Sequence, residues 1–137
     1  MKVRWVAAMT LAFAACATAA VAQPQQSEWR LTAIDGTPAP SNSHAVLRLD
    51  DARASGSGGC NAFGADVTRV ADQLVFSHII STMMACRGSA GEDVMGEEHA
   101  FLGALRAPLR MAEHGDTMVL STPDGRTLQF QRVAMTN

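Results

Sequence analysis
The sequence predicts an α+β domain that is mostly β, built as an antiparallel meander with one helix. Three observations carry this. Short alternating segments recur at close spacing with turn residues between them. One longer amphipathic stretch interrupts them. Four glycines fall in the ten residues Ser55-Gly56-Ser57-Gly58-Gly59-Cys60-Asn61-Ala62-Phe63-Gly64, a density that marks a sharp bend in a strand-like context.

The elements follow in order. Residues 28–34 alternate, with Trp29, Leu31 and Ala33 on one side, and read as the first strand. Residues 35–42, Asp-Gly-Thr-Pro-Ala-Pro-Ser-Asn, are turn chemistry throughout. Residues 45–49 and 53–57 are strands joined by Asp50-Asp51, and the second runs into the glycine bend. Residues 65–70 and 73–77 are the next pair, joined by Ala71-Asp72, with 78–81 continuing extended. Ser89-Ala90-Gly91-Glu92 has capping-box spacing. After it Val94, Met95, Phe101, Leu102 and Leu105 share a helical face. Acidic residues cluster near the start of this helix and Arg106 and Arg110 at or beyond its end, as the helix dipole favours, and Pro108 stops it. Residues 109–113, 118–121 and 127–132 are three more strands, separated by His114-Gly115-Asp116 and Pro123-Asp124-Gly125.

The N-terminus reads as an export signal. Met1-Lys2-Val3-Arg4 is basic, residues 5–20 are almost wholly apolar, and Ala20-Val21-Ala22 has the small-x-small form of a cleavage site. The expected layout is a signal peptide at 1–22, a short polar tether at 23–27 and one domain at 28–134. The alternative is a lipoprotein anchored through Cys16, because Ala14-Ala15-Cys16 fits the end of a lipobox. Membrane attachment is expected only in that case.

Removing 22 of the 137 residues leaves 115, enough for one domain with a real core. Of 11 basic residues, Lys2 and Arg4 leave with the signal. Nine scattered arginines then face 13 acids, a net charge of −4, and nucleic acid is not an expected partner. Trp29 and four phenylalanines, with no tyrosine, are thin material for base stacking or sugar platforms.

Several motifs together resemble the META domain, also called the HslJ-like family. They are Trp29 with Leu31 and Gly36, Gly58-Gly59-Cys60-Asn61-Ala62-Phe63-Gly64, Ser81-Thr82-Met83-Met84-Ala85-Cys86, Glu98 with Phe101 and Leu105, and Leu120, Gly125, Leu128 and Phe130. The similarity runs from about Trp29 to Val133. It implies a strongly curved, open barrel-like antiparallel sheet with one packed helix, and export to the bacterial envelope, periplasmic or secreted. It also implies a link to heat shock and envelope stress, and no reaction. The motif residues Trp29, Gly59, Asn61, Phe63, Thr82 and Met84 are expected to be structural.

For Cys60 and Cys86 a disulfide is the expected fate in an exported chain, with buried free thiols and a metal or catalytic role as alternatives. Closing the loop would stabilise by about 3.5 kcal/mol. No compact Cys/His zinc motif and no phosphate cradle is legible. His44, His78, His99 and His114 have no visible nucleophile to serve, and Asp50-Asp51 and Glu97-Glu98 read as solvated acids. Asn61 reads as a bend-holding residue. Methionines 83, 84, 95, 111, 118 and 135 read as core filler, or as an adaptable apolar groove. The expected function is non-enzymatic: a monomeric binding or structural module without cofactor or metal. Its ligand would be a peptide, a lipid or an envelope protein. The alternative is a hydrolase-like enzyme with an unrecognised site.

Overall fold
In the computed structural model, residues 26–88 and 92–134 are described. The signal at 1–22 with Cys16, the tether's first three residues, Ser89 of the capping box, and Met135 lie outside them. The elements are β1 (Ser27–Ile34), β2 (Thr37–Pro38), β3 (Ala45–Leu49), β4 (Arg53–Gly58), β5 (Ala62–Val70), β6 (Gln73–Ser81), α1 (Val94–Ala104), β7 (Leu109–His114), β8 (Thr117–Ser121) and β9 (Thr127–Arg132).

All strand pairings are antiparallel, and β1 pairs with both β3 and β9. Eight strands therefore close into a barrel, with β2 appended to β1. The expected curved sheet and single helix are present, and the curvature runs through to closure. Closure leaves β1 and β9 without a free edge, a row of unpaired backbone groups that would otherwise template aggregation.

The inward residues alternate as the strand period requires. Trp29, Leu31, Leu47, Leu74, Leu120 and Phe130 are buried, and the helix adds Phe101 and Leu105. Phe101 packs edge-on against Phe63, with ring centroids 5.7 Å apart, and against Phe130 at 6.0 Å. Each such aromatic pair contributes about 1 kcal/mol beyond its buried area.

Several boundaries differ from the sequence reading: β5 begins at Ala62 rather than 65, β4, β7 and β8 are each one residue longer, and two further differences lie at β1 and β2. Ser27, assigned to the tether, is the first residue of β1, because it pairs with Leu49 of β3; its hydroxyl also accepts the Trp29 indole N–H at 3.0 Å. Thr37 and Pro38, assigned to a turn, form β2, because Asp35 (φ 50) and Gly36 (φ 77) make the tight left-handed turn that folds a hairpin back on β1.

The helix also starts and faces differently. Asp93 is its N-cap, and its side chain accepts the Gly96 N–H at 2.8 Å. The helical face that meets the barrel is Glu98, Phe101, Ala104 and Leu105. Met95, placed on the apolar face, is 37% exposed, and Leu102 is only half-buried.

Of the two acids in the β3–β4 turn, Asp51 is exposed and Asp50 is a local brace. Asp50 Oδ1 accepts the N–H of Ala52 at 3.0 Å and of Arg53 at 2.7 Å. These backbone bonds, first Ala52 and then Arg53, hold its carboxyl below the ordinary 3.8. A carboxyl lowered by folding adds stability that is complete above its unfolded pKa and disappears as pH falls through the lowered value. Asp50→Asn should therefore unfold at lower urea than the wild type at about pH 7, and the gap should close towards about pH 2. A gap that is unchanged across that range would refute the role. Asp124 is lowered in the same direction, chiefly by the Thr122 hydroxyl.

Candidate functional site
The glycine bend, the 82–88 strap and the helix meet at one point, and Glu98 is its centre. Both Asn61 and Glu98 are buried. Glu98 Oε2 accepts the backbone N–H of Cys60 at 2.9 Å and of Asn61 at 2.5 Å, and Oε1 accepts the Asn61 side-chain amide at 2.6 Å. Asn61 then ties down the strap. Its Oδ1 accepts the Met84 N–H at 2.6 Å and the Thr82 hydroxyl at 2.9 Å, and its Nδ2 donates to the Met84 carbonyl at 3.1 Å. Thr82 Oγ1 in turn accepts the Ala62 N–H at 3.2 Å. The network satisfies the backbone of a turn that would otherwise bury unpaired donors.

The glycines make room for this. A Cβ on Gly58 would stand 2.5 Å from Glu98 Cγ, and one on Gly56 would stand 1.9 Å from the Val46 carbonyl oxygen. Backbone and carboxylate approach where a side chain cannot be accommodated.

Each expected motif residue has a place. Cys60 and Cys86 form a disulfide, with Cα atoms 5.8 Å apart, which anchors the far end of the strap. Gly59 turns the bend and donates its N–H to Ser57 Oγ at 3.0 Å. Phe63 enters the core. Trp29 lies across the barrel under the Arg132 guanidinium, 4.2 Å from its ring. Met84 is fixed through its backbone, while its side chain is 56% exposed and that of Met83 97% exposed. These two methionines are not core filler. Among the described methionines only Met118 is buried as expected, and Met111 is half-buried against the core.

The reading of Glu97-Glu98 as solvated acids fails. Glu97 is half-buried and accepts the Ser43 hydroxyl, and Glu98 is the buried centre of the network. A signal was available: Val94, Glu98, Phe101 and Leu105 are spaced i, i+4, i+7 and i+11, one helical stripe with an acid inside it.

The four histidines are scattered. His44 lines a cavity of about 310 Å³ beside the disulfide, together with Ser43, Arg87, Val94 and Glu97. His99 lines a groove of about 520 Å³ on the outer side of α1 with Met95, Leu102 and Arg106. His78 sits exposed at a β6 bulge with φ 49, its Nδ1 3.0 Å from Asp66. His114 ends β7. Among the described residues no group of three or more His, Cys, Asp or Glu side chains is placed to hold a metal ion. No helix among them is long and apolar enough to cross a membrane.

A closed eight-stranded antiparallel barrel, with a helix locked to a cysteine-bridged turn by a buried Asn–Glu pair, defines the class of domain. Residues 9–135 match the META domain, and the chain belongs to that family. A protein from Burkholderia xenovorans, its structure solved by NMR, is 25% identical. The likeness covers 90% of this chain and 100% of that one, with a TM-score of 0.61. A second NMR structure has a TM-score of 0.63 at 18% identity, covering 77% of this chain and 87% of that one, and shares the fold. No curated protein matches the chain.

Proposed function
We propose that this protein is an exported, non-enzymatic module of the bacterial envelope that binds other envelope components under stress. In this reading it is released to the periplasm by cleavage after Ala22, and Cys16 is not lipidated. Its ligand is apolar, a peptide or a lipid, held at Met83-Met84 and the neighbouring groove along α1. One observation carries the reading. Two adjacent methionines stand 97% and 56% exposed on a strap whose backbone is tied at Met84 and bridged at Cys86. A flexible, polarizable side chain on a rigid mount suits an adaptable apolar contact. Met95 borders the groove, and its sulfur lies 3.5 Å from the Cys86 backbone nitrogen, which makes the surface continuous. The family supports a stress-associated envelope domain.

The test is to incubate the mature domain with envelope extracts and with ester, peptide and glycoside substrates. Selective retention of a peptide or lipid, reduced about tenfold or more by Met84→Asp, is expected. Turnover that disappears on replacing His44, Asn61 or Cys60 would overturn the non-enzymatic reading.

A further inference from the structure
The barrel is joined unevenly, and at one seam a stretch of β6 has no partner on one side among the described residues. β6 is in register with β5 from Val70–Gln73 to Phe63–Ser81. On its other side it meets β7 only at Gln73–Arg110 and Leu74–Leu109 among the described residues. Immediately before Leu109 the chain is turn and helix α1, so among the described residues no strand lies beside residues 75–81.

The alternation of the ladder says which groups are open. The Asp72 carbonyl accepts the Met111 N–H at 2.8 Å, so the backbone of residue 72, and with it that of 74 and 76, faces the β7 side. The Thr82 N–H goes the other way, to the Ala62 carbonyl at 3.0 Å, which leaves Ser81 facing the seam. Between them the His78–Ile79 bulge adds one residue. Among the described residues no hydrogen bond outside the β5 ladder ends on the backbone of 75–81. Backbone donors and acceptors in an open row are a template for one kind of partner, another extended chain.

We propose that this seam takes an extended peptide segment as an added strand. The seam is seven residues long, about 23 Å, which fits a peptide of about seven residues. Its chemistry chooses a peptide over a lipid, since an acyl chain offers nothing to the Phe76 and Ser81 amides. The side chains set the pattern. Leu74 and Phe76 are buried and Ile79 packs on the core, while Val75 and Ser77 are half-exposed on the outer side. The added strand alternates apolar residues inward with hydroxyl-bearing residues outward. The outward Ile80, 70% exposed, supplies an apolar contact at one end.

The proposal rests on the binding reading above, but on a different surface, so the two fail separately. The probe is a heptapeptide alternating isoleucine and threonine with lysine caps, and the readout is amide hydrogen exchange by NMR. In the free protein the Phe76 and Ser81 amides should exchange at least about tenfold faster than those of Val75 and Ser77, which face β5. Peptide should protect Phe76 and Ser81 saturably, and N-methylation of alternate peptide amides should weaken binding at least about tenfold. Ile80→Lys, a surface change that leaves the fold intact, should weaken it also. A slowly exchanging Phe76 amide in the free protein, covered from the helix side, overturns the proposal. So does protection that rises with protein concentration alone, which assigns the seam to a second copy of the chain. A ligand retained at Met83-Met84 with no change at Phe76 also overturns the added strand, and leaves the binding reading standing.

Discussion

Glu98→Ala should lower the stability of this domain by about 4 kcal/mol, the largest loss expected from any polar side chain in it. The carboxylate serves three donors in a buried turn: the N–H groups of Cys60 and Asn61 and the Asn61 side-chain amide. A buried donor left without its acceptor costs about 1–3 kcal/mol, and some of that is recovered where water enters. Against a total stability of about 5–15 kcal/mol, such a loss is a large fraction. It should appear as a fall in Tm of about 10 °C or more by circular dichroism. Glu98→Gln separates shape from charge. It keeps one acceptor but turns an amide NH2 towards N–H groups, so about half the loss should remain. Because Asn61 shares these bonds, Asn61→Ala and Glu98→Ala should be strongly non-additive, with a coupling of about 1–3 kcal/mol. Additive losses, or an alanine variant that melts within about 2 °C of the parent, would show that the network is dispensable.

Breaking the Cys60–Cys86 bond should come next, at about 3.5 kcal/mol. The bond spans a sequence separation of 26 residues, and its main effect is to restrict the unfolded chain. Cys60→Ser, Cys86→Ser and the double variant should each lose about the same amount, because one bond is absent in all three. Losses that add would mean two independent thiol sites. The folded strap should survive reduction, since Thr82 and Met84 remain tied to Asn61. The two changes therefore leave different marks on hydrogen exchange. Reduction should loosen residues 85–88 beyond the last tie. Glu98→Ala should loosen the bend at 58–62 together with the strap.

Much of the fold was legible because strand periodicity is local. Residues 45–49 and 127–132 alternate so cleanly that the expected and observed bounds coincide. The Cys60–Cys86 pairing and the Asn61 brace were legible as expectations, from the redox compartment and from the turn chemistry of asparagine.

What failed was whatever depends on a partner far along the chain. Glu98 looked like a solvated acid because its three donors lie 37 and 38 positions away, in a turn with no acidic or basic signal of its own. Met83 and Met84 looked like core because an apolar residue carries no mark of which side it faces once the chain leaves regular structure. Asn61 settles that by holding the Met84 backbone. Closure of the barrel depends on β1 meeting β9 across nearly the whole chain, from Trp29–Arg132 to Ile34–Leu128. Residues alone pointed to most of the strands, the single helix and the family, and made a bridge the expected fate of the two cysteines. The fold chose which acid is buried, which methionines face water and where β6 stops pairing with β7, because each of these is set by burial and backbone pairing between segments distant in sequence.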